Sequence, residues 1–189
     1  MNFVATPIPG AFLVETTAHV DARGSFSRSF CEAEFSSHGL AARFEQHSIS
    51  SNREAGTVRG MHFSRPPAAE TKLVRCISGA IHDVIVDLRR ASPTYLQTFS
   101  VELSSTNQTA LLIPVGCAHG FQTLVDDSAV LYLITPSFNP AVADGVRYDD
   151  SPWRIVWPLP VTSIAEKDLR WTDWSRRSPI DFAVGGAAQ

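Results

Sequence analysis

What this 189-residue sequence lacks narrows its function first. It has no excess of one charge: 16 Lys and Arg face 19 Asp and Glu, a formal net charge of -3 with no long run of either sign. General nucleic-acid binders carry a basic excess, so that class is set aside. No stretch approaches the roughly 20 apolar residues of a membrane-spanning helix. The opening Met1-Asn2-Phe3-Val4-Ala5-Thr6-Pro7 lacks the charged-then-apolar layout of a secretory signal. Cysteine is scarce as well. Cys31, Cys76 and Cys117 are odd in number, far apart and without a CxxC, which argues against a disulfide framework and a cysteine zinc site. Repeats, linkers and low-complexity blocks are missing. What remains is apolar: 44% of residues are hydrophobic and 10% aromatic, enough for a large core. The expectation is a soluble, cytoplasmic chain forming one domain over 1–189, with a tail from about 175 that packs partly and then frays.

Helix signal is thin, and strand signal is not. Residues 25–30 and 98–103 alternate apolar with polar, while 72–77, 80–88, 109–113, 120–124 and 129–135 are short apolar runs. Turn residues separate them at Ser78-Gly79, Ser92-Pro93, Thr106-Asn107, Pro114-Val115-Gly116 and Asp126-Asp127-Ser128. About ten strands at this spacing predict an all-β sandwich or barrel of the jelly-roll kind. Only 32–38, closed by Gly39, and 164–169 read as short helices.

Polar residues set among apolar neighbours are the candidates for chemistry. His62 lies in Arg59-Gly60-Met61-His62-Phe63, Lys72 opens an apolar strand, and His119 follows Pro114-Val115-Gly116-Cys117-Ala118. Tyr132 sits mid-strand, and Asp168 ends Glu166-Lys167-Asp168. Each also has a structural reading: a satisfied histidine at a strand end, an edge-strand lysine, a core aromatic with its hydroxyl at the rim, a turn cap. His19, His38, His47 and His82 are assigned to the surface or rim. The stretch Pro114-x-Gly116-x-x-His119 resembles the second half of the cupin signature. Metal cupins pair it with a His-x-His, but Gly60 and Ser64 flank His62 at two residues. A metal needs three or four convergent ligands, so the shape without its metal is the expectation.

Taken in order, DARGSF (21–26), RGMHFSRPP (59–67), KLVRCISGAIHDVIVDLR (72–89), SPTY (92–95), LLIPVGCAHGF (111–121), VLYLIT (130–135) and EKD (166–168) resemble the dTDP-4-dehydrorhamnose 3,5-epimerase family, from about Phe12 to Trp171. The resemblance implies a cupin-type jelly roll, a homodimer, no metal and no organic cofactor. It implies that His62 is the base, Asp168 its carboxylate partner and Tyr132 the opposing acid. It places Arg23, Gln46, Arg59, Lys72, His119, Phe138 and Lys167 around a dTDP-linked 4-keto-6-deoxy sugar. Phe138 stands where the family stacks a Tyr on thymine.

The residue types suit that reaction on chemical grounds. Inverting a carbon beside a ketone removes an acidified proton and returns one to the other face. A histidine with an ordinary pKa near ~6.5 is a usable base at neutral pH, and a carboxylate on its second nitrogen fixes the tautomer. A tyrosine supplies a proton, a lysine meets the enolate oxygen, and Arg23, Arg59 and Lys167 suit a diphosphate. Three positions depart from the family. Arg28 replaces an acidic residue, Gln46-His47-Ser48 replaces Gln-x-Asn, and Ala143 replaces a Glu. An intact catalytic set within an altered shell points to a specialised relative inverting C3 only. Inversion at both C3 and C5, a metal-dependent cupin, a 3,4-ketoisomerase and a non-catalytic sugar-nucleotide binder are the competing functions.

Overall fold

The computed structural model of the chain describes residues 1–182. Its strands are β1 (Asn2–Ala5), β2 (Phe12–Glu15), β3 (Ala18–Asp21), β4 (Gly24–Ser27), β5 (Gln46–Asn52), β6 (Thr57–Ser64), β7 (Thr71–Ser78), β8 (Ala80–Asp87), β9 (Thr98–Ser104), β10 (Ala110–Ile113), β11 (Cys117–Thr123), β12 (Ser128–Thr135), β13 (Ala143–Gly145) and β14 (Ser163–Ile164). Helices α1 (Glu32–Ser37) and α2 (Glu166–Leu169) are short, and Trp174–Arg176 forms a 3-10 turn. One sheet runs β1-β2-β10-β7-β12-β5 and the other β13-β6-β11-β8-β9, with β14 added parallel to β6. All other pairings are antiparallel. This is the cupin-type jelly roll.

The two sheets face each other because successive strand residues point to opposite faces. On β7, Val74 and Cys76 point inward with Leu111, Ile113 and Val130, and meet Ile81, Ile85, Leu103 and Phe121 of the second sheet. Leu73 points the other way, against Phe35 of α1, together with Leu112 and Leu133. Strands buried on both faces read as mainly apolar runs without strict alternation, which is why β7, β8 and β10 stood out in the sequence; β12, half-buried along one side, is apolar as well.

Among the described residues fourteen strands form where about ten were expected. The missed ones are either four residues or fewer, like β1, β2 and β13, or carry polar residues inward, like β5 and β6. The alternating stretch 25–30 also differs from its expectation. It contributes only β4, which pairs with β3 in a separate two-stranded hairpin whose Val20 and Phe26 are 77% and 74% exposed. Of the tail, Trp174, Ile180 and Phe182 are buried with Phe63, Leu88 and Trp153. The expected fraying of the remainder, 183–189, lies outside the described residues.

Candidate active site

One cavity of about 560 Å³ opens between the sheets and is lined from both. The second sheet sends in Arg59 and His62 from β6 and His119 from β11, the first sheet Lys72 from β7 and Tyr132 from β12. His62 and His119 are register partners on adjacent strands, so their side chains emerge side by side. The pairing slips by one residue just after His119. Gly60 permits this. Its φ is +129°, and a Cβ there would stand 2.5 Å from Gly120 Cα and 2.9 Å from the His119 carbonyl. Only a residue without a side chain lets β6 and β11 approach so closely.

His62 is held by a carboxylate from a distant part of the chain. Its Nε2 lies 2.7 Å from Asp168 Oδ1, although 106 residues separate them. Asp168 is buried in the single turn of α2, where its amide donates to the Ala165 carbonyl. Burial pushes its carboxyl up, but hydrogen bonds and charge from His62, with bonds from the Gly60 amide and Trp171 Nε1, outweigh that and hold it below the usual range. A carboxylate so held only accepts. His62 Nε2 is therefore the donor, and Nδ1 is left as the free base. Trp171 reaches Asp168 at 3.3 Å because Gly145 beneath its ring has no Cβ, which would otherwise lie 2.4 Å from the indole.

A second His–carboxylate pair lies deeper. His119 Nε2 is 2.7 Å from Asp83 Oδ1, both residues are buried, and Asp83 Oδ2 has no partner. The Tyr132 ring meets His119 edge to face at 5.9 Å. Burial pushes the Tyr132 phenol well above its ordinary pKa, the Asp83 charge adds to this, and Arg59 offsets part of it. Tyr132 is thus a neutral O–H at any physiological pH. Lys72 is buried, donates to the His62 carbonyl at 3.3 Å and pairs with Glu70 at 2.8 Å.

The remaining expected residues divide. Arg59, Phe138 and Lys167 line the cavity, with Arg59 Nε donating to Asn52 at 2.6 Å. Gln46 stands one layer back, accepting from the Phe138 amide and donating to Ser48. Arg23 does not reach the cavity of its own chain. It sits on the exposed β3–β4 hairpin, paired with Asp21 at 2.6 Å. Arg28 is likewise outside, paired with Glu34 beside α1, whereas Ser48 and Ala143 line the cavity. Sequence reasoning missed Glu70, Asp83 and Trp171. Glu70 lies in the loop just before β7, and like Asp83 and Trp171 it had no local signal. Among the described residues no three His, Cys, Asp or Glu side chains gather in a metal-binding group.

The model of the dTDP-4-dehydrorhamnose 3,5-epimerase family matches residues 5–176. The chain belongs to that family. It is 41% identical over 182 residues, 95% of this chain and 97% of the relative, to a protein of Methanothermobacter thermautotrophicus named dTDP-4-dehydrorhamnose 3,5-epimerase. It is similar to the crystal structure of that epimerase from Bacillus anthracis with TDP and PPi bound, at TM-score 0.88 and 37% identity, covering 91% of this chain and 98% of that one. It is also similar to ChmJ, a 3'-monoepimerase from Streptomyces bikiniensis in complex with dTDP-quinovose, at TM-score 0.83 and 28% identity, covering 90% and 86%.

Proposed function

We propose that this family member inverts the carbon next to the ketone of a dTDP-linked 4-keto-6-deoxyhexose by removing a proton and returning one to the opposite face. The observation that carries this reading is the His62–Asp168 pair at 2.7 Å entering the cavity from one sheet while Tyr132 enters from the other. A sugar ring between them has the base on one face and the acid on the other. His62 Nδ1 takes the proton, and Asp168 on Nε2 steadies the imidazolium that forms. Lys72 offers its ammonium to the oxygen that becomes negative, and the neutral phenol of the partly buried Tyr132 supplies the returning proton. Arg59 and Lys167 suit the diphosphate, and the half-exposed Phe138 ring suits the flat face of the base.

The working enzyme is a homodimer. Arg23 suits a diphosphate, yet it stands on a hairpin whose Val20 and Phe26 are open to solvent. Those apolar side chains are covered, and Arg23 brought to a cavity, if the hairpin reaches a second copy. The three cysteines are free thiols, which suits the reducing cytoplasm.

Inversion at C3 alone is the outcome we favour. Ser48 and Ala143 alter the reach of two cavity-lining positions, and a sugar misplaced by about 1 Å at the second carbon loses roughly a hundredfold in rate. Inversion at both carbons has the 41% relative's name in its favour. Incubating chelator-treated protein with dTDP-4-keto-6-deoxyglucose in deuterium oxide and locating the label by NMR tests all of this. Label at C3 alone is expected. Early label at C3 and C5 equally makes it a 3,5-epimerase, a migrated carbonyl a ketoisomerase, and no label with dTDP bound a binding protein. Activity lost to the chelator and restored by one divalent ion would place it among the metal cupins.

A further inference from the structure

Glu70 is the one acidic side chain of the cavity that the reaction above does not use and that is tied to a group the reaction does use. It stands in the loop just before β7, two residues ahead of Lys72. Its carboxylate lies 2.8 Å from Lys72 Nζ, and the two side chains are only 10% and 9% exposed. An ammonium has three N–H groups. Here one is directed at the His62 carbonyl, 3.3 Å away, while Glu70 Oε1 lies against the ammonium as an ion pair. That leaves N–H capacity for a ligand.

We propose that Glu70 is a positioning residue that both aims Lys72 and limits the positive charge it presents to the substrate oxygen. The inference rests on the epimerase reading, because it concerns the oxygen that becomes negative when the α-proton leaves. Two consequences oppose each other. Through its oxygen 2.8 Å from the ammonium, Glu70 keeps the flexible four-carbon stem of Lys72 in one orientation, so the ammonium is in place before the charge develops. As an anion, it neutralises that ammonium at close range inside a partly desolvated cavity, where charges act more strongly than in water. It therefore also repels the enolate. The carboxylate holds the enolate back while its geometry helps it form.

The pair of effects is separable by substitution. Glu70→Gln keeps an acceptor oxygen at nearly the same place and removes the charge. Glu70→Ala removes both. The measurement is the rate of deuterium incorporation into saturating dTDP-4-keto-6-deoxyglucose, with dTDP affinity measured alongside by calorimetry. The Gln variant is expected to exchange at least threefold faster than the native enzyme, and the Ala variant at least tenfold slower, with dTDP affinity within twofold in both. A merely structural role cannot produce a faster enzyme. Should the Ala variant fail to fold, the near-isosteric Gln variant decides alone. A Gln variant at or below the native rate, or an Ala variant at the native rate, overturns the proposal while leaving the epimerase reading intact. A native enzyme that exchanges no proton overturns that reading, and this inference with it.

Discussion

In the proposed reaction the imidazole at position 62 has to be oriented and to present one named atom as the base. The carboxylate of Asp168 arranges both by accepting from Nε2, and its depressed pKa keeps it an acceptor. Removing the imidazole should therefore abolish chemistry while sparing binding. His62→Asn is expected to lower α-proton exchange by about 10²–10⁴-fold, the usual contribution of a positioned base, with dTDP affinity unchanged. Tyr132→Phe should behave differently. His62 can still remove a proton and return deuterium to the same face, so exchange persists without inversion. NMR of the recovered sugar distinguishes washout with retention from inversion. Native-rate exchange in the His62 variant would remove it as the base, and normal inversion in the Tyr132 variant would require another acid.

At the scale of elements, the cavity depends on how closely β6 and β11 cross. Gly60→Ala puts a Cβ 2.5 Å from Gly120 Cα in a left-handed backbone conformation. That combines steric overlap with strain, together costing roughly 2–4 kcal/mol. Thermal melting should show the loss, and exchange activity should fall further than stability alone accounts for, because His62 and the Gly60 amide that binds Asp168 both move. A Gly60→Ala protein with native melting and native rate would mean the crossing tolerates a methyl group. The same element explains what could be read in advance. Strands β7, β8 and β10 announce themselves through short apolar runs buried on both faces, and β12 through a run that is partly buried. β6 carries Arg59, Gly60 and His62 where a core strand would carry aliphatics, so its pattern breaks where its function lies. His62, Lys72 and Tyr132 were legible as polar residues in apolar settings. The pairing of His62 with Asp168, 106 residues apart, is not written in any local pattern. It came from the family motifs, and Glu70, Asp83 and Trp171 came only from the fold.

At the scale of the whole molecule, the buried carboxylates set how the protein meets acid. Asp87, Asp144 and Asp168 are all buried. Burial alone would raise each pKa, but their donors outweigh it and the net shift is downward. Asp87 accepts from the Arg89 side chain and amide, Ser92 and Thr94, which ties down the loop between β8 and β9. Asp144 is held by Arg65 and Arg177 and by the Gly145 amide, and so joins the tail to the cavity wall. In the unfolded chain an aspartate titrates near ~3.9. A group whose folded pKa is lower stabilises the protein fully above that value, and loses its contribution as pH falls through the folded one. The melting temperature should therefore hold steady from about pH 8 to pH 5 and fall steeply below about pH 4. Asp87→Asn supplies the control. Breaking a buried pair with Arg89 should cost roughly 3–5 kcal/mol at pH 7, yet the acid slope of the variant should be shallower than the native one, because one depressed carboxyl has gone. An equally steep slope would remove Asp87 from the account, and a native midpoint that starts to fall near pH 6 would point to the histidines instead.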